Sequence, residues 1–223
     1  MSTPEVVTVP TSLGPARVTV AGPEAAGARG SVVLGHGAGG DTGAADLQAL
    51  LGLARQGWRV VLVDQPWVLA GRRVAPAPAR LDLAWREVLG GLDARPGALP
   101  RPLVTGGRSA GARVACRTST GQGEPALPRA DGVLCLAFPL RPPRTPDRTR
   151  AGELDVPLAH GIPVLVVQGE RDPFGSPDRV REEAPGATVV AVPGTHSPTR
   201  DLAGLLTHTA AWLDRVSGPS PLG

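Results

Sequence analysis

The stretch that decides the fold is Gly107-Arg108-Ser109-Ala110-Gly111 (GRSAG). It comes after a short apolar run at residues 103–105 and opens a segment of helical composition that extends to about Thr118. A serine with glycine two positions before and two positions after it, on a turn from strand to helix, is the pattern of an exposed nucleophile. The glycines lack the Cβ atoms that would clash in so strained a turn. The same pattern is also common by chance. Whether Ser109 is a nucleophile therefore depends on whether an acid and a histidine occur in suitable places later in the chain.

Short apolar runs alternate with helical patterns on both sides of this turn. Unbroken apolar runs are typical of strands buried on both faces, and apolar residues at helical spacing are typical of helices that cover a sheet. The predicted buried strands are 31–34, 58–63, 103–105, 130–138, 162–168 and 188–192. The predicted helices run from a cap at Asp41 or Thr42 to Gly57, and over 81–92, 110–118, 151–159, 177–183 and 198–216. Two β-rich runs at 6–9 and 16–20 favour a hairpin at the sheet edge, where proline is tolerated.

This order of elements predicts an α/β fold. We expect a mostly parallel central sheet with an N-terminal antiparallel hairpin, helices on both faces and no lid domain. Residues 1–223 are expected to form a single domain, with a core at about 5–216 and a loose tail at 217–223. The segment 64–67 is expected to form a turn and 68–79 a loop.

Composition narrows the possible partners and location. The chain is 41% hydrophobic and 19% charged, which is typical of a globular protein. Its net charge is +3, and aromatic residues make up only 3%, so the clustered basic and aromatic face of a nucleic-acid binder is missing. The N-terminus lacks the charged and apolar regions of a signal peptide, and no apolar run approaches the ~20 residues of a membrane helix. We therefore expect a soluble, cytoplasmic protein that binds neither nucleic acid nor membrane.

The two cysteines, Cys116 and Cys135, both fall inside apolar runs. Nothing near them has the spacing of a metal site. Two reduced core thiols are favoured, with a disulfide as the alternative.

Two candidate partners of Ser109 come after later strands. Asp172 lies soon after the run at 162–168, and His196 lies soon after the run at 188–192. In a parallel sheet the carboxyl ends of the strands share one edge, and active sites collect there. A serine hydroxyl is a poor nucleophile that needs a histidine to take its proton and an acid to orient that histidine. The order Ser, Asp, His is the one expected of this architecture, so the sequence predicts a catalytic triad of these three residues.

Three other residues are rivals for these roles. Glu170 is the alternative acid, but it would point to the other side if its strand continued. His160 precedes a strand and so lies at the wrong end of the sheet for a base. His208 lies inside the last predicted helix. Both histidines are favoured as structural or solvent-facing residues.

Three stretches carry a resemblance to a known family: HGAGG at 36–40, GRSAG at 107–111 and GERDPFG at 169–175. With them the chain resembles the α/β-hydrolase superfamily from about residue 5 to residue 216. It is most similar to the small, lidless, dienelactone-hydrolase-like branch, and within it to a group of largely uncharacterised hydrolase-like proteins. The resemblance aligns Asp172 with the family's acid. It does not imply one substrate, because this fold hosts many chemistries.

In this architecture two backbone amides stabilise the oxyanion that develops on the substrate. One is expected to be the amide of Ala110, directly after the nucleophile. The second is expected from the loop at His36, Gly37 and Ala38, most simply the amide of Ala38. His36 itself is favoured as a residue that shapes the loop, although both His36 and Gly37 are candidates for contact with the substrate.

Further candidates for substrate contact lie past other strands. Trp67 is equally compatible with a pocket wall and with the core. Arg141 and Arg144 lie in the arginine- and proline-rich stretch 139–150, which is expected to border the site, and arginine suits the bidentate capture of a carboxylate or phosphate. The alternative for this stretch is an ordinary solvated loop. Arg108, inside the nucleophile turn, is favoured as a partner in a structural ion pair.

The resemblance implies a serine hydrolase that cleaves small carboxylic esters or thioesters through an acyl-enzyme intermediate. Its expected partner is a small-molecule acyl substrate, with no cofactor and no metal, and the protein is expected to be a monomer or homodimer. The alternative is a catalytically silent interaction module on the same fold, since some relatives serve as subunits of larger assemblies. Such a module is expected to have lost a triad or oxyanion residue. A peptidase is less favoured, because nothing resembles an added propeller or gating domain.

Overall fold

The computed structural model describes residues 3–94, 99–145 and 147–218. The strands are β1 (Glu5–Val9), β2 (Ala16–Ala21), β3 (Ser31–Gly35), β4 (Arg59–Asp64), β5 (Leu103–Arg108), β6 (Gly132–Leu136), β7 (Val164–Gly169) and β8 (Thr188–Val192). The helices are α1 (Ala45–Leu50), α2 (Pro66–Leu69), α3 (Pro78–Asp93), α4 (Ala110–Thr118), α5 (Ala151–Ala159), α6 (Pro177–Glu183) and α7 (Leu202–Val216). A 3₁₀ segment at Leu51–Gln56 extends α1.

The strands form one sheet in the order β1-β2-β4-β3-β5-β6-β7-β8. β1 pairs antiparallel with β2, and β2 pairs antiparallel with β4, whereas every pair from β4 through β3 to β8 is parallel. The predicted mostly parallel sheet with an N-terminal antiparallel hairpin is therefore confirmed. β5, which carries the nucleophile turn, lies between β3 and β6 near the middle of this sheet.

Helices pack on both faces of the sheet, as predicted. Alternate residues of one strand serve opposite faces, because side chains along a strand point up and down in turn. Val32 and Leu34 of β3 belong to the apolar cluster formed with α1 and α7, whereas Val33 belongs to the cluster formed with α3. A third cluster joins β6 and β7 to α4, α5 and α6 on the same side as α3. The central strands are thus buried on both faces.

Several predicted boundaries differ from the structure. The predicted turn and loop after β4 contain the short helix α2 and the first residues of α3, and both helices begin with a proline, which suits the first turn of a helix. Neither Asp41 nor Thr42 caps α1, since its cap is Ala44 and the Asp41 carboxylate instead accepts a hydrogen bond from Gly43 N. Gly57 ends the 3₁₀ segment, as predicted, and the structure shows it in a left-handed conformation.

The end of the chain also differs from the prediction. α7 begins four residues later than predicted, where the Asp201 side chain accepts a hydrogen bond from Gly204 N at 2.8 Å. Of the tail predicted at 217–223, the last five residues lie outside the described part of the chain. No helix within the described ranges is both long and apolar enough to span a lipid bilayer.

The two cysteines are buried free thiols, in accordance with the favoured prediction. The Sγ atoms of Cys116 on α4 and Cys135 on β6 lie 3.5 Å apart. Burial raises the pKa of Cys135 well above its ordinary value. Both side chains are buried, and the pair helps to pack α4 onto the sheet as two small apolar groups.

The nucleophile turn presses directly against the end of β3. Gly107 has a φ of 153°, and a Cβ atom on it would lie 2.3 Å from the carbonyl oxygen of Gly35. A Cβ atom on Gly111 would lie 2.5 Å from the same oxygen. Backbone atoms held in two paired strands cannot move aside for a side chain, so both positions require glycine.

The first prediction compares two glycine-to-alanine substitutions. Gly111→Ala should lower the free energy of unfolding by about 1–3 kcal/mol, because the new methyl group meets backbone. Gly90→Ala, in the interior of α3 where the added Cβ meets open space, should instead raise it by about 0.5–1 kcal/mol. Urea unfolding of both variants tests the pair, and equal effects would contradict the close packing of the turn on β3.

Candidate active site

Ser109 stands at the tip of the turn between β5 and α4. Its backbone has a φ of 51° and a ψ of −105°, a conformation that a residue with a side chain rarely adopts and that costs about 1–3 kcal/mol. The Ser109 amide donates a hydrogen bond of 2.9 Å to the carbonyl of Leu136 at the end of β6. This bond and the glycine contacts hold the turn in its strained shape, so that the hydroxyl projects from the carboxyl edge of the sheet.

The structure brings the three predicted triad residues together. His196 Nε2 lies 2.9 Å from Ser109 Oγ, and His196 Nδ1 lies 2.9 Å from Asp172 Oδ2. Asp172 is 5% exposed, whereas the His196 side chain is 22% exposed and accessible from the surface. The ring of Phe174 packs against the imidazole with 4.2 Å between ring centroids. A continuous chain of hydrogen bonds thus runs from a buried carboxylate to a partly exposed serine hydroxyl.

The carboxylate of Asp172 is fixed by two further donors. Phe174 N donates to Oδ1 at 2.8 Å, and Gln168 Nε2 donates to Oδ2 at 3.0 Å. Gln168 is fully buried at the end of β7 and also bonds both the N–H and the C=O of Phe138 and the carbonyl of Gly175. Gln168 was not identified from the sequence. The available signal was a polar residue at the end of an otherwise apolar strand, just ahead of the acid.

The rival residues lie elsewhere. Glu170 is exposed, and the structure places Asp172 rather than Glu170 against the imidazole. His160 follows the last residue of α5, is exposed, and contacts the carbonyl of Val156 through Nδ1. His208 is exposed on α7. These positions agree with the interpretation of both histidines as structural or solvent-facing.

The glycine-rich loop after β3 lies beside the nucleophile. A Cβ atom on Gly37 would stand 3.5 Å from the Cβ of Ser109, so the loop backbone and the serine are in contact distance. Ala38 is the next residue, on the exposed rim, and Ala110 is the first residue of α4. The first amides of a helix have no partner within the helix and are available to an anion. The predicted oxyanion donors therefore flank Ser109, and their catalytic role remains a prediction.

His36 ties this loop to the neighbouring strand. Its Nδ1 lies 2.8 Å from the carbonyl of Gly37, and its Nε2 lies 3.1 Å from the amide of Gln65, just past the end of β4. Because the Gln65 amide can only donate, Nε2 must accept, and the proton of a neutral ring is therefore on Nδ1. Burial lowers the pKa of His36 below its ordinary value. His36 is accordingly a neutral brace of the loop rather than a charged group.

Trp67 packs on this brace, with 5.3 Å between its ring centroid and that of His36. The side chain is 8% exposed and belongs to the core cluster around α3. It also lines a cavity of about 300 Å³ together with Ala38, Gly39 and Arg72. Trp67 is therefore both a core residue and a pocket wall. A larger cleft of about 680 Å³ between β2, α1 and Leu206 contains none of the predicted site residues.

The two loop arginines differ from each other. Arg141 N donates to the carbonyl of Phe174 at 2.7 Å, which places this stretch next to the triad. The Arg141 side chain, however, pairs with Glu183 on α6, with Nε 2.7 Å from Oε1. Burial acts to raise the pKa of Glu183, but hydrogen bonds from Arg141, Thr149 and Arg179 lower it to about 2. Arg144 is exposed. Contact of either arginine with a substrate remains a prediction.

The side chains at the site do not form a cluster of metal ligands. Over residues 3–94, 99–145 and 147–218, no group of three or more His, Cys, Asp or Glu side chains is arranged to hold a metal ion. The polar side chains that meet at the site are those of Ser109, His196 and Asp172.

The chain also matches a known family. A model of the alpha/beta hydrolase domain family matches residues 28–207. No curated protein matches the chain closely enough to count as a relative. Solved structures match it at identities of about one residue in five or fewer, and that likeness is one of fold.

Three solved structures illustrate the likeness. An a/b serine hydrolase without lid from Xanthomonas campestris has a TM-score of 0.71 and 20% identity, covering 99% of this chain and 98% of its own. Dienelactone hydrolase from Anabaena variabilis has a TM-score of 0.72 and 16% identity, covering 96% and 97%. A propionate-bound esterase from Thermogutta terrifontis has a TM-score of 0.66 and 17% identity, covering 99% and 97%.

The second prediction concerns His36 and pH. The ordinary pKa of 6.5 applies in the unfolded chain, and the folded value is lower. The unfolded chain therefore binds a proton first, so the His36 contribution to stability is present above about pH 6.5 and is lost as the pH falls toward the folded value. His36→Asn keeps a donor for Gly37 and removes the titrating ring. From about pH 7.5 to about pH 5, the unfolding free energy should fall less in this variant than in the wild type.

The control for this experiment is His208→Asn, which removes an exposed ring on α7. Urea unfolding of this variant should show the pH dependence of the wild type. Identical pH dependence in the wild type and His36→Asn would contradict the neutral brace.

Proposed function

The chain belongs to the alpha/beta hydrolase family, and on that premise we propose that it is a serine hydrolase of small carboxylic esters or thioesters. We propose further that residues of about 5–216 act as one domain with a single active site. The observation that carries the proposal is the unbroken hydrogen-bonded chain from Asp172 through His196 to Ser109. The likeness in fold to a serine hydrolase without lid and to esterases supports it.

Acylation begins at Ser109. His196 Nε2, at 2.9 Å, takes the hydroxyl proton as Oγ attacks the acyl carbonyl carbon. Asp172 holds the Nδ1 proton of the ring and stabilises the imidazolium that forms. The imidazolium then returns its proton to the leaving alkoxide or thiolate, and the acyl group remains on Ser109. Water then attacks the acyl group with the same proton relay and releases the carboxylic acid.

The charge that develops on the carbonyl oxygen is stabilised by the amides of Ala38 and Ala110. These two residues flank Ser109 on the loop after β3 and on the first turn of α4. Donors fixed in place before the reaction need no rearrangement in the transition state, and losing one typically costs about 3–4 kcal/mol of the barrier. The brace at His36 supports the first donor by fixing the loop that carries it.

The size of the cavity favours small acyl substrates. The space beside Ala38 and Trp67 is about 300 Å³, which is at the lower end of the range for small-molecule pockets. The Ser109–His196 pair is partly exposed, so a long acyl chain would lie largely in water. Propionate is the ligand named in the structure of the similar Thermogutta terrifontis esterase, which supports a short acyl group.

The third prediction tests the nucleophile. Purified protein should hydrolyse p-nitrophenyl acetate or butyrate and should hydrolyse long-chain esters poorly, because the cavity beside Ala38 and Trp67 is small. Ser109→Ala should lower the rate by about 10³-fold or more, because the remaining triad residues have no nucleophile to activate. A fluorophosphonate probe should label the wild type and leave the variant unlabelled. If the wild type is neither active nor labelled, the silent interaction module becomes the better interpretation.

The fourth prediction tests the acid. Asp172→Asn should lower turnover by about 10⁴-fold, because an amide at this place favours the wrong tautomer of the histidine. Glu170→Gln, two residues away on an exposed side chain, is the matched control and should do much less. Steady-state rates with circular dichroism spectra of both variants separate a loss of chemistry from a loss of fold. The opposite ranking would move the role of the acid to Glu170.

A further inference from the structure

Arg108 occupies the position directly before the proposed nucleophile and reaches across to the loop that carries the proposed base. Its Nη2 donates to the backbone carbonyl of His196 at 3.1 Å and also to the hydroxyl of Ser197. The side chain is 21% exposed, so most of it is shielded from solvent. A guanidinium can hold several acceptors at once because its donors are fixed in one plane.

Asp46 of α1 is the counter-ion of this arginine. Its carboxylate is 1% exposed, and its Oδ2 lies 3.1 Å from Arg108 Nε. Among the described residues neither of these two atoms has a hydrogen-bond partner, so the contact is an ion pair rather than an aligned hydrogen bond. Burial raises the pKa of Asp46, and the charge of Arg108 acts in the opposite direction. A buried carboxylate of this kind is tolerable only beside a cation.

The other contacts of the His196 loop hold different parts of it. Arg171 N donates to the carbonyl of Gly194 at 2.9 Å, which fixes the start of the loop. Phe174 packs on the imidazole ring, and Asp172 holds its Nδ1. The contact with Arg108 is made instead to the main-chain carbonyl of His196 itself. It therefore acts on the backbone position from which the imidazole projects.

We propose that Arg108, neutralised by Asp46, is a positioning residue that holds the His196 loop at the distance from Ser109 that proton transfer requires. The inference rests on the proposed function for its catalytic consequence, but the bracing itself is a property of the fold. The arginine and the nucleophile are neighbours in sequence, so the same turn that presents Ser109 also fixes the base. Asp46 keeps this brace electrically neutral, because a lone cation there would oppose the positive charge that forms on the imidazole.

The kinetic test uses Arg108→Gln and Arg108→Lys, with p-nitrophenyl butyrate as substrate. Both should lower kcat by about 10- to 100-fold, because displacement by about 1 Å of a group in the reacting chain has costs of that order. Arg108→Lys should not restore kcat, since one ammonium group cannot hold Asp46 and the His196 carbonyl together. KM should stay within about twofold, because ground-state binding is not touched. Rates are expressed per active site titrated with a fluorophosphonate, so that partly unfolded protein is not counted.

The matched control is Arg113→Gln on α4. Arg113 is also 21% exposed and ion-paired, but its partner is Glu153 on α5 rather than the His196 loop. The substitution should leave kcat per titrated site unchanged. Asp46→Asn should lower kcat, though less than Arg108→Gln, because it keeps the shape of the brace and removes its neutralising charge. Unchanged kcat per titrated site in both Arg108 variants would overturn the proposal.

A second measurement does not depend on activity. Hydrogen–deuterium exchange of the peptide spanning residues 193–199 should show a loss of protection in Arg108→Gln and none in Arg113→Gln. If the wild type proves inactive, the proposed function fails while this result still supports the brace. If protection of the loop is the same in Arg108→Gln and the wild type, the brace itself is wrong whatever the activity.

Discussion

The structure of the site depends on one close approach between two backbones. Gly107 lies opposite Gly35 in the pairing of β5 with β3, and the carbonyl of Gly35 occupies the space where side chains on Gly107 and Gly111 would begin. Because the residue after Gly35 starts the glycine-rich loop, this contact sets the nucleophile and that loop side by side. The strain at Ser109 is held by the same packing, since the turn can relax only by moving away from β3.

Much of this arrangement could be predicted from the sequence, and the reason is topological. Parallel strands end at a common edge, so polar residues just past β5, β7 and β8 converge even though they are far apart along the chain. The unbroken apolar runs identified those strands, and the order of Ser109, Asp172 and His196 along the chain could then be compared with a known architecture. The distances between their side chains, which no pattern of residues supplies, came from the structure.

The residues that support the site were not predictable in the same way. In the sequence, Gln168 is simply one more residue of a buried strand. Its supporting role becomes evident only from its hydrogen bonds to Phe138 and Gly175 in the structure. The partner of Arg108 lies on α1, and the structure joins them only because α1 packs beside the carboxyl edge of the sheet. Helix α2 was missed because its single turn carries no periodic signal, and proline suits a loop as well as a helix start. Local patterns identify the candidate reacting groups, whereas the residues that support them are defined by contacts distant in sequence.

The brace at His36 has a consequence for the next peptide unit. The Gly37–Ala38 peptide is a rigid plane in which the carbonyl and the N–H point in opposite directions. Since His36 Nδ1 holds the carbonyl of Gly37, the N–H of Ala38 is turned away from His36 and cannot rotate independently. One side chain thus sets the orientation of an amide it never touches. The proposed oxyanion donor is thus held in one orientation by the fold, and on the proposed function we expect a substrate to meet it without a rearrangement of the loop.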